Sequence, residues 1–395
     1  MKVMLCNGDR PELGVATIPL PIPDEEYAHC MELLNALEIG DVRAHDCYLD
    51  QISDAPPSLF MLEGTMINVD EMDFLARSLE RFTDEELAKF QCMIATREHW
   101  DLETLINLSF SCEQVTVITD FSKLEEAGRS HYMTMHGGGV PVDEYNQLNG
   151  IGIIRRLIAD GGGIITPYGV LFENAMHIEP VYAGHSFPPY SDKPYLMELT
   201  LETPLEGEIP FFLPQPEKRL ERLLERADIH SAEQLSFRTW RCDLPDAVVD
   251  RLNFPKESLW EMNSLCASVK NMDHKERQKL CAVIQCAEPE YAFQMRHLAE
   301  NLELFDFVPG VQTALDYGRY LIQESGHYEY DENLEPYYDY ERCGQEQMDS
   351  ESGAFSALGY VSYHGMLSLD ELMMEDPAEH EQAPQQELQM GGMSC

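Results

Sequence analysis

The sequence of this 395-residue chain resembles itself when it is shifted by 190 positions. Many residues that coincide are ones that shape local structure, such as Gly169 with Gly359. Self-similarity at a fixed spacing indicates that one structural unit occurs more than once. We therefore predict an internal tandem duplication. The coinciding pairs are Leu75 and Leu265, Ser78 and Ser268, Glu86 and Glu276, Lys89 and Lys279, Ile94 and Ile284, Leu108 and Leu298, Gly128-Arg129 and Gly318-Arg319, Gly163 and Gly353, and Gly169 and Gly359.

Both predicted copies contain the same helix start. Thr83 followed by Glu86 forms a capping box, in which each side chain can bond the other residue's backbone N–H. Asp273 followed by Glu276 has the same spacing. Apolar residues at helical intervals follow each box, which predicts an amphipathic helix in each copy.

Each copy is predicted to contain both helices and strands, and a chain of this length exceeds one hydrophobic core. The predicted fold class is α+β, an elongated multi-domain chain of small mixed α/β domains. In the first copy we predict strands at 3–6 and 15–22, helices near 24–37, 101–110 and 121–132, and a strand–turn–strand unit at 163–172. Two further helices contain the apolar stripes that run from 72 to 82 and from 87 to 94, and a short segment at 115–118 follows the third of the central helices. In the second copy we predict helices near 217–227, 259–271, 275–286, 292–302 and 311–325, and a strand–turn–strand unit at 353–362. The predicted domains are a first unit at 1–185, a linker at 186–195, a second unit at 196–368 and an acidic, disordered tail at 369–395.

The chain is strongly acidic, with 71 Asp and Glu against 27 Lys and Arg and a formal net charge of −44. Such charge opposes compaction, so it indicates a need for solubility or for a charged partner. The apolar fraction of 44% is nevertheless high enough for packed cores. Direct binding to DNA, RNA or anionic lipid is disfavoured, because phosphate binding needs Lys and Arg. Three explanations stay open: solvation at high salt, calcium buffering, or a surface that imitates nucleic acid.

The sequence also predicts a cytoplasmic location. No window of about 18 apolar residues exists that would predict a membrane span, and the first residues lack the apolar region of a signal peptide. The 11 cysteines are odd in number and form no Cys-x-x-Cys pair, which favours reduced thiols.

Each copy resembles the ArdA family of antirestriction proteins. The segments that carry this resemblance are residues 14–23, 45–49 and 75–94 in the first copy and residues 314–326, 334–344 and 353–355 in the second. The resemblance implies an elongated inhibitor, not an enzyme, which mimics bent B-form DNA and occupies the DNA-binding groove of Type I restriction-modification enzymes. Because family members usually form dimers, the tandem chain would be such a dimer in one polypeptide, and it could also pair as a homodimer.

The amount of charge agrees with DNA mimicry. Duplex DNA carries one charge per about 1.7 Å of axis, so 44 charges correspond to about 75 Å, or about 22 base pairs. We therefore expect a long, curved molecule whose carboxylates lie in rows.

Catalytic, cofactor and metal sites are not predicted. The triple glycines at 137–139 and 161–163 lack the context of a phosphate-binding loop, so we expect turns there. The His45–Cys47 triplet has no second ligand pair at zinc spacing. The acidic stretch 68–73 lacks the loop glycine and distal Glu of a calcium site and has helical periodicity.

The carboxylates that we expect to stand for phosphates lie on the polar faces of the central helices and around a tyrosine-rich segment. In the first copy they are Asp70, Glu71, Asp73, Glu80, Asp84, Glu85, Glu98, Asp101 and Glu103. In the second copy they are Glu257, Glu261, Glu288, Glu290, Glu300, Glu303, Asp306, Asp316, Asp331, Glu332, Glu335, Asp339 and Glu341. Gly128-Arg129 and Gly318-Arg319 are expected to end helices and to hold an internal carboxylate.

The predicted function is a DNA mimic that inhibits a Type I restriction-modification complex and so protects mobile-element DNA. The alternative is an acidic adaptor, or an inhibitor of another DNA-binding host or defence protein. A hydrolase is a weaker alternative, because the two copies share no nucleophile and base.

Overall fold

The computed structural model describes residues 1–98, 100–174, 177–190, 194–203, 207–229, 237–326 and 328–374. The chain divides into two compact units. The first unit contains residues 1–194, 202–210 and 215–234, and the second contains residues 195–201, 211–214 and 235–395.

The first part of the chain alternates between strands and helices, and its strands pair antiparallel, as is typical of an α+β fold. Its elements are β1 (Lys2–Asn7), β2 (Val15–Pro19), α1 (Tyr27–Ala36), β3 (Cys47–Ser53), β4 (Met66–Ile67), α2 (Val69–Glu80), α3 (Asp84–Ala95), α4 (Leu102–Ser109), β5 (Val115–Ile118), α5 (Leu124–Met135), α6 (Val142–Gln147), α7 (Gly150–Asp160), β6 (Ile164–Thr166) and β7 (Gly169–Glu173). One antiparallel sheet has the order β2-β1-β3-β4 and another has the order β5-β7-β6.

The later part of the chain repeats this alternation. Its elements are β8 (Met197–Thr203), β9 (Gly207–Leu213), α8 (Glu217–Arg226), β10 (Phe237–Cys242), α9 (Asp246–Arg251), α10 (Leu259–Lys270), α11 (His274–Ala287), α12 (Ala292–Glu300), β11 (Phe305–Pro309), α13 (Ala314–Gln323), α14 (Tyr340–Glu351), β12 (Ala354–Phe355), β13 (Gly359–Tyr363) and α15 (Leu369–Met373). The two sheets here have the orders β10-β8-β9 and β11-β13-β12.

The two series of elements correspond closely. Helices α1 and α8 have bounds that differ by 190 positions, and so do α2 and α10. Both capping boxes are present, with Thr83 and Asp273 each bonded to the third residue of its helix. The sheet orders also agree, since β1, β2 and β3 correspond to β8, β9 and β10. A tandem duplication would produce this agreement, and the duplication itself stays a prediction.

The first unit contains a large hydrophobic core beneath the sheet that includes β1. Leu5, Ile18 and Leu49 on the strands and Leu34 and Leu75 on helices are fully buried in it. Burial of apolar surface is the main favourable contribution to the stability of such a unit.

Smaller cores lie beneath the three-stranded sheets. Ile118, Ile154 and Phe172 pack together in the first unit. Tyr317, Leu321 and Tyr360 occupy the corresponding core of the second unit.

The predicted linker at 186–195 is wrong where it is described, because it packs into the first unit. The ring of Phe187 stacks on that of Phe74 with 4.6 Å between centroids, and Tyr190 donates a hydrogen bond to the carbonyl of Arg77. Phe187 and Tyr190 in this Pro-rich stretch therefore pack against the core of the first unit.

The start of the predicted tail also differs from the prediction. Residues 369–373 form α15, which begins with a capping box between Ser368 and Glu371. Leu372 and Met373 are buried. The remainder of the predicted tail, residues 375–395, lies outside the described residues.

Gly128 and Gly318 do not end helices, because they lie in the middle of α5 and α13. A Cβ atom on Gly128 would lie 1.9 Å from the carbonyl oxygen of Gly150 at the start of α7. In the second unit, a Cβ atom on Gly344 of α14 would lie 1.9 Å from the carbonyl oxygen of Ala314. The sheets β5-β7-β6 and β11-β13-β12 are therefore each accompanied by two helices whose backbones touch, a contact that only glycine permits.

Candidate protein-binding surface

A stretch dense in negative charge lies between Arg319 and Arg342, where the sequence has seven carboxylates and no Lys or Arg. Within it, the acidic tyrosine segment (residues 328–341) connects α13 to the first turn of α14. Every carboxylate of this segment is exposed. Tyr328, Tyr330 and Tyr337 are also exposed, with Tyr337 at 83%. The segment therefore presents carboxylates and phenol rings together.

Local hydrogen bonds hold the acidic tyrosine segment in place. Asp331 accepts a hydrogen bond from the backbone N–H of Asn333, and Asp339 caps α14 by accepting one from the backbone N–H of Arg342. The ring of Tyr338 lies 5.9 Å from that of Tyr330 and 5.8 Å from that of Tyr340. Such ring pairs stabilise a fixed arrangement beyond simple burial.

Helices α13 and α14, whose backbones touch at Gly344, also hold this segment in position. Arg319 on α13 places its guanidinium over the ring of Tyr340, 5.6 Å from the ring centre. Gln323 on α13 donates a hydrogen bond of 2.8 Å to the Tyr340 hydroxyl. Desolvation and the negative charge of Glu335 raise the pKa of Tyr330, so this phenol stays neutral.

Most of the other predicted carboxylates of the second copy also face solvent. Glu288 is exposed and pairs with Arg251 at 3.0 Å, and Asp306 is exposed beside His364. Glu261 and Asp316 are half-buried, with Glu261 lying 3.5 Å from Arg296. The remaining exposed members are Glu290, Glu300 and Glu303.

Six predicted carboxylates of the first copy are exposed. Glu85 forms an ion pair of 2.8 Å with Lys89. Asp101 caps α4 by accepting a hydrogen bond from the backbone N–H of Thr104. The exposed members are Glu80, Asp84, Glu85, Glu98, Asp101 and Glu103.

Four predicted carboxylates are not on the surface, so their placement on solvent-facing helix faces is wrong. Asp70, Glu71 and Asp73 on α2 are 9%, 2% and 5% exposed, and Glu257 before α10 is 8% exposed. A carboxylate that solvent cannot reach offers no charge to an approaching protein. The periodicity of α2 did predict its helix correctly, but its acidic face packs inward.

The three carboxylates of α2 are buried because arginines neutralise them. Arg222 of α8 binds Asp70 through two hydrogen bonds of 2.9 and 2.7 Å. Arg226 of the same helix binds Glu71 at 2.8 Å. Arg77, on α2 itself, binds Asp73 at 2.9 Å. Buried charges of this kind are tolerated only when they are paired and hydrogen-bonded.

The arginines of α8 neutralise these carboxylates, and sequence reasoning did not predict this pairing. Arg219, Arg222 and Arg226 follow the spacing i, i+3 and i+7, which places them on one face of a helix. The residues Leu220 and Leu224 are also buried, and they lie on a different face of α8. Three arginines on one face of a helix that is also buried on another face were the available signal that α8 packs against an acidic partner.

The His45–Cys47 triplet has a structural role. His45 lies 3.1 Å from Glu71, and burial together with Asp46 raises the pKa of the Cys47 thiol. Among the described residues, no three His, Cys, Asp or Glu side chains are grouped as a metal ion would need. Gly137 and Gly138 lie in a turn after α5, as predicted, whereas residues 161–163 connect α7 to β6 in backbone that forms no turn.

Among the described helices, none combines the length and apolar character that a membrane crossing requires.

Residues 209–362 match the family model described as "Antirestriction protein (ArdA)". This range begins in β9 and ends in β13, so it includes α8 and the acidic tyrosine segment. The match covers less than half of the chain, and over this range the chain is ArdA-like. It supports an antirestriction role as an inhibitor, and interaction with restriction-modification enzymes in general. A comparison with curated protein sequences finds no significant match.

Proposed function

Because residues 209–362 are ArdA-like, we propose that this chain inhibits a Type I restriction-modification enzyme by occupying its DNA-binding groove as a DNA mimic. The observation that supports this most is the acidic tyrosine segment, which lies inside the matched range and exposes its carboxylates beside exposed tyrosines. A groove that binds DNA contains Lys and Arg for the phosphates. Those same groups would bind the carboxylates of this segment.

Binding would be favoured by the release of ions. Both the acidic surface and the basic groove hold counterions when they are apart, and contact releases them into solution. Screening weakens such attraction as the salt concentration rises. Inhibition by this chain should therefore decrease steeply with added salt.

A competition titration tests the proposal. The full chain is titrated into a Type I enzyme that holds a fluorescent target duplex, and release of the duplex is followed by anisotropy at low and at high salt. We expect release at low salt and a weaker effect at high salt. Failure of excess chain to release the duplex at low salt would refute the proposal.

Two charge-matched variants locate the contact. Glu332→Gln, Glu335→Gln and Glu341→Gln together remove three negative charges from the acidic tyrosine segment. The control removes three exposed negative charges outside the ArdA-like range, with the substitutions Glu25→Gln, Glu32→Gln and Glu179→Gln. We expect the first variant to inhibit less than the control, because its lost charges face the groove. Equal inhibition by both variants would show that net charge alone acts and would contradict contact through this segment.

A further inference from the structure

The carboxylates of α2 lie in a cleft that also contains aromatic rings and backbone carbonyls. We name the acidic cleft by the residues that line it, which are Asp24, Asp70, Glu71, Asp73, Tyr27 and Tyr182. Helix α8 occupies this cleft, and both belong to the first compact unit. In the predicted duplication, however, α8 belongs to the second copy and corresponds to α1 of the first.

Each arginine of α8 has its own carboxylate in the cleft. Arg219 binds Asp24 at 2.7 Å, while Arg222 and Arg226 bind Asp70 and Glu71. The spacing of the three arginines along α8 therefore matches the positions of three separate acceptors. An exposed ion pair contributes little to stability, but these guanidinium groups are largely shielded from solvent.

Backbone carbonyls of the cleft accept further guanidinium N–H groups, although the Nε of Arg219 is buried without a hydrogen-bond partner among the described residues. Arg226 donates to the carbonyl of Val42 and to that of His185, both at 2.6 Å. Arg222 donates to the carbonyl of Gly40 at 2.8 Å. A guanidinium has five donors in a fixed planar fork, whereas a lysine ammonium has three on a flexible stem. The acceptors of the cleft therefore fit arginine and would leave unsatisfied groups around lysine.

Aromatic rings of the cleft and the side chain of Arg43 make further contacts with α8 and with the residues that follow it. The guanidinium of Arg219 lies over the ring of Tyr27 at 4.3 Å, and that of Arg226 lies over Phe187 at 4.5 Å. At the other end, Arg43 donates to the carbonyl of Glu225 at 2.9 Å and pairs with Asp228. A cation at a helix C-terminus is favourable because the last carbonyls lack partners within the helix.

The corresponding helices lack most of this arrangement, although Glu261 of α10 corresponds to Glu71 and lies 3.5 Å from Arg296 of α12. On α1, the residues that correspond to Arg219, Arg222 and Arg226 are His29, Glu32 and Ala36. On α10, Asp70 and Asp73 are replaced by Trp260 and Asn263. Helix α8 of the predicted second copy therefore binds the acidic cleft of the first copy. The reverse contact, between α1 of the first copy and α10 of the second, would lack its arginines.

From these observations we propose that the acidic cleft is a recognition site for a helix with arginines at i, i+3 and i+7, and that α8 is its dedicated partner. The pair would join the two predicted copies by a contact that α1 and α10 do not repeat. Contacts between unlike surfaces can otherwise continue from molecule to molecule. The absence of arginines from α1, and of two of the three carboxylates from α10, would stop such growth.

A peptide that contains α8 tests the proposal in the full chain. The variant Arg219→Glu, Arg222→Glu and Arg226→Glu places carboxylates against carboxylates, which should expel its own helix and leave the cleft open. A fluorescent peptide of residues 215–229 is then titrated into this variant and into the unaltered chain. In the unaltered chain the cleft is filled by a helix at an effective concentration of about millimolar, so micromolar peptide should not displace it.

We expect the peptide to bind the variant at least about tenfold more tightly than the unaltered chain. A peptide with lysines in place of the three arginines is the matched control and should bind more weakly. Absence of binding to a folded variant, or equal binding of the lysine peptide, would overturn the proposal.

A charge exchange decides the question if the triple variant does not fold. Asp70→Arg and Arg222→Asp are made singly and together, and thermal unfolding of each chain is followed by circular dichroism. We expect each single variant to melt at a lower temperature and the double variant to recover part of the loss. A double variant no more stable than the single ones would overturn specific recognition.

Discussion

The two units share an order of helices and strands but keep their carboxylates in different places. In the first unit, α2 turns Asp70, Glu71 and Asp73 inward, where arginines neutralise them. In the second unit, the acidic tyrosine segment exposes its carboxylates without a Lys or Arg in the same stretch. The difference shows that acidic residues in this chain lie in two environments. The inward set, Asp70, Glu71 and Asp73, is neutralised inside a packed unit. The outward set, the carboxylates of the acidic tyrosine segment, faces solvent, and we propose that a partner meets its charge.

The largest effect on stability should come from removing an arginine that neutralises the inward set. Arg226→Ala leaves Glu71 buried without its charged partner, and loss of one member of a buried pair typically costs about 3–5 kcal/mol. Urea denaturation of the full chain measures this loss. Arg342→Ala is the control, since Arg342 pairs with Glu346 at the surface, and it should cost about 0–1 kcal/mol. Equal losses would mean that the inward set is not needed for stability.

The next largest effect on stability should come from the close contact between α13 and α14 at Gly344, which holds the outward set in position. Gly344→Ala would place a Cβ atom 1.9 Å from the Ala314 carbonyl oxygen, so α13 and α14 must move apart. Overpacking of this kind costs about 1–3 kcal/mol. Gly139→Ala is the control, because no atom lies within 4 Å of the added Cβ. Thermal unfolding compares the two, and a Gly344→Ala chain as stable as the control would contradict the close contact.

Glu257 is a buried carboxylate of the second unit and should give a smaller, pH-dependent effect. One of its oxygens accepts a hydrogen bond from the backbone N–H of Ala292, and burial raises the pKa of the carboxyl. A raised pKa means that the folded state favours the protonated acid, so stability is lost as the pH rises through that pKa. Glu257→Gln should therefore increase the melting temperature at pH 7.

The same substitution should make little difference at a pH below the ordinary range of glutamate, where the wild-type acid is already protonated. Melting curves at pH 3 and pH 7 provide the comparison. A wild-type chain more stable than the variant at pH 7 would contradict the direction given for this pKa.

The smallest effect on stability should come from the outward set. Glu332→Gln, Glu335→Gln and Glu341→Gln change exposed side chains, and such changes usually alter stability by less than about 0.5 kcal/mol each. Urea denaturation measures this, and the same variant serves in the inhibition assay proposed above. A large loss of stability would mean that these carboxylates support the fold, and the division between the two roles would fail.

The positions of many elements could be predicted because their signals are local. The capping boxes at Thr83 and Asp273 predict where α3 and α11 begin, since the cap and the third residue bond within one turn. The apolar stripe of α2 predicts its helix in the same way. Such signals need no knowledge of what lies across the core.

Helices α7 and α14 were missed because their reason for forming is not local. Helix α7 begins with Gly-Ile-Gly, and α14 is rich in Glu and Gln with few apolar residues. In both, a glycine touches the backbone of a helix that lies earlier in the chain. A sequence pattern indicates that a glycine is unusual at a helix position but not which peptide group it must approach.

The exposure of α2 could not be predicted for a related reason. Periodicity divides a helix into faces, and a face with Asp70 and Asp73 is ordinarily the one that meets water. Only the position of α8, encoded about 150 residues later, makes that face an interior one. The partner of a charged face is a property of the tertiary structure.

The contact between α13 and α14 also sets a limit on how this part of the protein can adapt. Where side chains separate two helices, a change of rotamer can absorb stress, but peptide groups in contact have no such freedom. The distance between Asp316 on one helix and Glu341 on the other is therefore fixed by main-chain geometry. A molecule that binds across both helices has to match a spacing that is already set, and the protein loses little conformational freedom in meeting it.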